Sequence, residues 1–155
     1  MNTKADKSKE LTTSINLLNE KLHFEGKVNG NDPISIDYIP PLGENLGYTS
    51  LELFLFSLSS CLGSSVLIFL RRMRKTISGF EIIGTGIRKE EHPTGFKTIT
   101  LQLIIKSPDV SADDLDKVIK LSKDTFCPVW SMIKGNVDIL VKYNIVPQQN
   151  KYLLI

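Results

Sequence analysis

The stretch SLELFLFSLSSCLGSSVLIFLRRMRK, residues 50–75, is the most apolar part of the chain and contains one of its two cysteines, Cys61. Thr49 comes directly before it, and Thr49 and Glu52 form the Thr-x-x-Glu pattern of a helix capping box. No proline interrupts the stretch, and the basic residues near its end suit the negative end of a helix dipole. The pattern predicts one long helix over about residues 50–75.

This helix is compatible with a membrane span and with a buried core helix. Residues 51–70 would just cross a hydrocarbon layer of about 30 Å, and a basic flank follows them. However, five serines, one glycine and Glu52 interrupt the window. The segments around it are amphipathic and need an apolar partner, so the sequence favours a central core helix over a membrane span.

Length and composition are those of one ordinary globular domain. The chain has 155 residues, 41% hydrophobic and 23% charged, with a net charge of only +2. That charge is too small to indicate nucleic-acid binding, and no secretory signal is visible at the N-terminus. Two cysteines do not make a secreted disulfide framework, so we expect a cytoplasmic protein. We predict a polar N-terminal arm, one domain and a C-terminal tail, at residues 1–18, 19–148 and 149–155.

The remaining segments predict alternating groups of strands and helices. Turn signals such as NGNDP and HPTG separate segments in which apolar and polar residues alternate, as they do in strands. After a Ser-x-x-Asp cap at Ser111, the apolar residues recur at helical spacing instead. Pro128 and Gly135 suit the start and end of a short helix. The order ββ–α–ββ–αα–β indicates an α+β domain. The predicted strands are 20–30, 33–39, 80–91, 96–107 and 137–146, and the predicted later helices are 110–126 and 127–136.

Cys61 lies on a helix stripe that also carries small hydroxyl residues. At 100° per residue, Ser57, Ser64 and Ser65 lie within about 60° of it. Such a stripe fits close packing against another backbone. It also fits a thiol in a narrow pocket surrounded by hydrogen-bond donors.

Cys127 precedes Pro128 at the start of the short predicted helix. Free amides and the helix dipole at such an N-cap stabilise a thiolate, so this argument makes Cys127 the more acidic cysteine. The alternative is a small buried residue that happens to precede a proline.

Other polar and aromatic features carry weaker signals. His23 and His92 lack the ligand spacing of a zinc site, and GTGIRK lacks the third glycine and the helix of a dinucleotide loop. We therefore expect no metal and no cofactor. Trp130 and Met132 fit the core or a subunit interface, and RRMRK fits a solvated helix end.

Two cysteine motifs together resemble the OsmC/Ohr family. TSLELFLFSLSSCLGSS resembles its first motif, an acidic residue and leucine-rich turn before a helical cysteine. CPVWSMIKGNVDILVKYNI resembles its second motif, a Cys-Pro helix start before a closing strand. EEHPTGFKTITLQLII is similar to the YhfA-like branch of the family. The resemblance covers roughly residues 21–146.

The resemblance implies an intertwined homodimer, with antiparallel sheets packed around two central helices per subunit. It implies that Cys61 attacks an organic hydroperoxide and that Cys127 then closes a disulfide, which a dithiol reductant reopens. It also explains the apolar first helix, because a partner subunit covers its remaining face.

Two departures from the family pattern concern activation of the thiol. The family's peroxidases use an arginine from the N-terminal strands, but no arginine precedes Arg71 here. Lys21 and Lys27 are candidate substitutes without the planar guanidinium group. The family's glutamate ten residues before the cysteine corresponds to Leu51, and Glu52 lies half a helical turn out of phase, which fits its capping role better. The resemblance thus implies a redox protein, with a non-catalytic dimeric binder of an apolar small ligand as the alternative.

Overall fold

The computed structural model describes residues 7–147, so the predicted tail and the first six residues of the predicted arm lie outside the described residues. The chain divides into two compact units, Met1–Leu53 and Phe54–Ile155. Each unit contains one three-stranded sheet.

The first unit contains an antiparallel sheet in the order β1–β2–β3, which confirms the predicted N-terminal hairpin. Strand β1 was not predicted, because it lies within the segment expected to be a polar arm. All four of its residues are exposed, so β1 does not contribute an apolar face to the core. It pairs with β2 through backbone hydrogen bonds. The strands are β1 (Ser14–Leu17), β2 (Phe24–Lys27) and β3 (Ile34–Ile36).

Asp37 organises the loop that follows β3. Its carboxylate is completely buried and accepts hydrogen bonds from the backbone amides of Tyr38, Glu44 and Leu46. Burial opposes ionisation, but these amide hydrogen bonds outweigh it and hold the pKa of Asp37 below its usual value. The loop is therefore fixed by one buried charge whose hydrogen bonds are satisfied.

Helix α1 (Ser50–Arg72) begins with the predicted capping box. The Glu52 carboxylate accepts from the Thr49 amide at 2.7 Å, and the Glu52 amide donates to the Thr49 hydroxyl at 3.4 Å. The helix ends a few residues earlier than predicted, because the backbone turns through Arg74, whose φ is 60°. The long predicted helix is otherwise confirmed.

The second unit contains a sheet in the order β4–β5–β6. Strands β4 (Gly79–Arg88) and β5 (Phe96–Lys106) are antiparallel, as the sequence predicted. Strand β6 (Asp138–Val146) pairs parallel to β5, so the sheet is mixed and not purely antiparallel as expected. The physical reason is the long helical connection after β5, which brings the chain back in the same direction.

Close packing joins α1 to the sheet of the second unit. Leu58, Leu62, Val66 and Leu70 are fully buried at four-residue intervals along the helix. A Cβ atom added to Gly63 would lie 2.8 Å from Cδ1 of Ile82, so this glycine is what lets the helix approach β4. The predicted role of α1 as a core helix is thus observed on one of its faces.

The opposite face of α1 keeps apolar side chains outside the core. Ile68 is 47% exposed. Only 33% of the most apolar window of α1 is buried, and its mean hydropathy of 2.1 makes the helix long and apolar enough to cross a membrane. Core helices of soluble proteins reach the same length and hydropathy, so these two properties do not distinguish a core helix from a membrane span.

The connection between β5 and β6 is helical throughout most of its length. Helix α2 (Ala112–Leu121) starts at the predicted Ser111 cap, and helix α3 (Pro128–Ile133) ends before Gly135, whose φ is 87°. Between them lies a π-helical turn, residues Ser122–Phe126, which the sequence analysis had assigned to the α-helix.

Candidate thiol site

The sulfur atoms of Cys61 and Cys127 lie 2.8 Å apart, with the Cys127 thiol donating to the Cys61 sulfur. Both are free cysteines, and the separation is longer than a disulfide bond of about 2.05 Å. The two residues are 66 positions apart in the sequence, and both belong to the second unit. The fold therefore brings the two sequence-predicted thiols into direct contact within one chain.

The two cysteines occupy different positions in their helices and differ in exposure. Cys61 lies in the middle of α1 and is half-buried. Cys127 is the N-cap residue of α3 and only 2% exposed, and its sulfur accepts from the Trp130 amide at 3.3 Å. Cys61 is thus partly exposed, whereas Cys127 is almost completely buried.

The π-helical turn places Cys127 on the buried side of its segment. The Cys127 amide donates to the Ser122 carbonyl oxygen, five residues earlier, at 2.8 Å. Residue 126, which a continuous α-helix would bring to that side, is a phenylalanine that is 48% exposed. The one-residue widening of the turn therefore directs the cysteine inward.

Burial raises the pKa of Cys127 to about 12, and the hydrogen bond and charge of Cys61 act in the same direction. The amides of Trp130 and Val129 lower this pKa, as the N-cap argument predicted, but they do not compensate for desolvation. Of the two interpretations of Cys127, the small buried residue before a proline therefore agrees with the structure, and the acidic N-cap thiol does not. Cys127 behaves as a buried S–H donor to its neighbour.

The serines near Cys61 do not surround its sulfur as a ring of donors. The buried Ser65 donates its hydroxyl to the carbonyl oxygen of Cys61 at 3.1 Å, whereas Ser57 and Ser64 are exposed. The small side chains around the thiol therefore agree better with close helix packing than with a pocket of hydrogen-bond donors.

Trp130 forms part of the buried surroundings of Cys127. Its side chain is 8% exposed, and the ammonium group of Lys123 lies 4.8 Å from the centre of its ring. The burial of Trp130 confirms its assignment to the core. Met132 is 71% exposed, so it does not lie in the core of one chain, and its alternative place at a subunit interface stays a prediction.

Phe126 lies beside Cys127 in the sequence and connects this region to α1. Its ring makes an edge contact with Phe69 at 4.7 Å between centroids, and the Arg72 guanidinium lies 5.6 Å from the Phe69 ring. The half-exposed Phe126 thus links the segment before Cys127 to α1 through its contact with Phe69.

The three candidate supporting residues have other partners in the first unit. Lys21 forms an ion pair with Glu44 at 3.2 Å, and Lys27 forms one with Glu25. Glu52 is held by Thr49, whose amide and hydroxyl hydrogen bonds keep the pKa of Glu52 below its usual value. Their suggested roles at the thiol remain predictions.

The two histidines have no metal-site geometry in the described part of the chain. His23 contacts the Ser35 hydroxyl at 2.8 Å, and His92 is exposed in the turn between β4 and β5. Across residues 7–147, no group of three or more His, Cys, Asp and Glu side chains is arranged to hold a metal ion.

Ser122 is a residue that the sequence analysis missed. It is fully buried, and its hydroxyl is without a hydrogen-bond partner among residues 7–147. Its position as the first residue of the π-helical turn gives no signal in the sequence, because the turn itself has no recognisable pattern.

The two sheets, the three helices and the thiol contact define an α+β protein with a preassembled dithiol pair. The chain belongs to the OsmC family: the family model described as OsmC-like protein matches residues 43–142. The family resemblance found in the sequence is thereby confirmed.

Similar proteins include Protein YhfA of Escherichia coli strain K12, which is 27% identical over 96 residues, covering 62% of this chain and 72% of YhfA. A hypothetical protein from Aquifex aeolicus has a structure with a TM-score of 0.79 and 24% identity, covering 91% of this chain and 99% of that one. The organic hydroperoxide resistance protein OhrB of Bacillus subtilis has a TM-score of 0.62 and 17% identity, covering 87% and 98%. These structural similarities establish the shared fold.

Proposed function

We propose that this protein is a thiol-dependent reductase of organic hydroperoxides, with Cys61 and Cys127 cycling between dithiol and disulfide. The observation that carries the proposal is the 2.8 Å contact between a half-buried and a buried sulfur. Two thiols in contact can form a disulfide without rearrangement of a helix. The OsmC family membership and the name of the Bacillus subtilis relative support peroxide chemistry.

In the proposed first step, the Cys61 thiolate attacks the terminal oxygen of the hydroperoxide. The O–O bond breaks, Cys61 becomes a sulfenic acid, and the alkoxide takes up a proton to leave as an alcohol. Cys61 fits this role because it is the more accessible of the two sulfurs.

In the second step, the Cys127 sulfur attacks the Cys61 sulfur and displaces its hydroxyl group. The Cys127 proton goes to the departing hydroxyl, so that a disulfide and water form. An external dithiol then reduces the disulfide by two exchange reactions and is itself oxidised. The burial of Cys127 fits a thiol that reacts with its neighbour and not with solutes.

The test is peroxide consumption in the presence of dihydrolipoamide. We expect the wild-type protein to consume cumene or tert-butyl hydroperoxide, and the Cys61→Ser variant to lose turnover entirely. The Cys127→Ser variant should complete one oxidation of Cys61 but not turn over through an internal disulfide. Wild-type activity no greater than that of Cys61→Ser would contradict the proposal.

A non-catalytic role as a binder of an apolar small ligand is the second candidate function. The raised pKa of Cys127 and the carboxylate partners of Lys21 and Lys27 favour it, because neither feature activates a thiol. Native mass spectrometry of the freshly purified protein tests it. A retained lipid-like ligand with no Cys61-dependent peroxide loss would support the binder over the reductase.

We also propose that two copies of the chain form a homodimer in the cytoplasm. The exposed apolar side chains on the outer face of α1 support this, since contiguous exposed apolar surface marks an interaction site. Recovery of a dimer in detergent-free buffer would support the proposal. A protein found only in the membrane fraction would instead favour a membrane-spanning α1.

A further inference from the structure

Among residues 7–147, the Ser122 hydroxyl is the buried side-chain polar group that has no hydrogen-bond partner. The residue is completely buried. A buried hydroxyl that makes no hydrogen bond costs free energy, and such groups in native proteins need a specific explanation. The position of Ser122 in the fold suggests one.

A backbone hydrogen bond across the π-helical turn links Ser122 to Cys127. The Cys127 amide donates to the Ser122 carbonyl oxygen at 2.8 Å, so the two residues are one helical turn apart. Both residues are buried, at 0% and 2% exposure, and both belong to this one turn of the chain.

The buried thiol of Cys127 needs a hydrogen-bond donor when it reacts. Its sulfur must carry negative charge as it attacks Cys61, and burial works against that charge. The amide of Trp130 is one donor, at 3.3 Å. The hydroxyl of Ser122 is available as another, because no other described group uses it.

We infer that the Ser122 hydroxyl donates a hydrogen bond to the Cys127 sulfur during disulfide formation. This inference rests on the proposed dithiol–disulfide cycle. The hydroxyl donates a hydrogen bond and no proton: the Cys127 proton still leaves with the group displaced from Cys61. Ser122 therefore stays unpaired in the resting dithiol state and becomes paired as charge develops on the sulfur.

The chain offers a matched control in Ser65. It is also a buried helical serine, but its hydroxyl already donates to the carbonyl oxygen of Cys61 at 3.1 Å. Ser65→Ala and Ser122→Ala remove the same atom next to the two cysteines. Only the second change removes a donor assigned to Cys127.

The experiment is a reaction of the reduced protein with one equivalent of the chromogenic disulfide DTNB. Cys61 takes up one half of the reagent and releases the first coloured thiolate. Cys127 then attacks the mixed disulfide on Cys61 and releases the second one. The second phase measures the reactivity of Cys127 without any peroxide, and Cys127→Ser should abolish it.

We expect Ser122→Ala to slow the second phase by about tenfold to a hundredfold, the effect of a hydrogen bond to a charged group. The rate of the first phase and the urea midpoint should stay at the wild-type values, because the resting protein loses only an unpaired hydroxyl. Ser65→Ala should keep the wild-type second phase.

Two results would overturn the inference in different ways. A wild-type second phase in Ser122→Ala would show that Ser122 is not a donor to Cys127, and the dithiol cycle would stand. No second phase in the wild-type protein would remove the dithiol cycle itself, and the role of Ser122 with it.

Discussion

Cys127 experiences opposing influences within a few ångströms. The amides at the start of α3 favour its thiolate, whereas burial and the neighbouring Cys61 favour its thiol. Desolvation has the largest effect, which explains why the local Cys-Pro pattern predicted the wrong direction. The reactivity of this residue depends on what surrounds it more than on its position in a helix.

Removing Cys61 should lower the pKa of Cys127 without returning it to the ordinary value. In Cys61→Ala, the hydrogen bond and charge of the partner sulfur are lost, but burial persists. Cys127 is then the only thiol in the chain. We expect its thiolate absorbance to titrate below pH 12 and above about pH 8.5, the usual value.

The same titration in the presence of urea provides the control. Unfolding exposes Cys127, so its midpoint should return to about 8.5. A folded-state midpoint at or below that value would show that the amides of α3 outweigh burial.

At the scale of elements, the connection between β5 and β6 combines a predictable start with an unpredictable middle. The Ser111 cap of α2 is encoded locally, because Ser111 and Asp114 exchange hydrogen bonds across one turn. The π-helical turn before Cys127 has no local pattern of that kind. It is defined instead by the hydrogen bond from the Cys127 amide to the Ser122 carbonyl oxygen.

Asp114 should make the stability of the protein depend on acid pH. Its hydrogen bonds with Lys75 and Ser111 lower its pKa from 3.8 to about 2. Because the folded-state pKa is depressed, the stabilisation is present above about pH 4 and is lost as the pH falls through about 2. We expect Asp114→Asn to lower the urea midpoint at pH 6, and the difference from the wild type to shrink as the pH falls from 4 to 2 and below.

Asp113→Asn is the matched control for this change. Asp113 lies in the same first turn of α2 but outside the capping box. Its variant therefore loses the same favourable charge near the helix N-terminus and keeps the hydrogen bonds of the cap. An equal loss at pH 6 in both variants would show that the charge, and not the cap, accounts for the effect.

At the scale of the whole molecule, α1 has more apolar surface than one chain buries. One face packs on the sheet through Leu58 and Leu62, whereas Ile68 remains 47% exposed on another. The proposed homodimer gives this second face a partner and explains why a helix in a domain of this size has a mean hydropathy of 2.1.

Ile68→Lys should prevent the proposed dimer from forming. Burying an unpaired ammonium group in an apolar interface costs several kcal/mol, and the symmetry of a dimer introduces it twice. Sedimentation velocity should show a folded monomer for Ile68→Lys and a dimer for both the wild type and Ile68→Val. A dimer of undiminished affinity in Ile68→Lys would place the interface elsewhere.

The sequence alone determined the order of most elements, the capped long helix, the OsmC family and the two cysteines as candidate site residues. These features depend on residue periodicity, caps and motifs that act over a few positions. Strand β1 escaped this reasoning because its side chains are exposed.

Only the tertiary structure decided that the two sulfurs touch, that Cys127 is a buried thiol with a raised pKa, and that the Ser122 hydroxyl is buried without a partner among residues 7–147. The parallel pairing of β5 with β6 was decided in the same way. Each of these depends on desolvation or on contacts between residues distant in the sequence. Local patterns do not contain that information, because burial is a property of the packed chain.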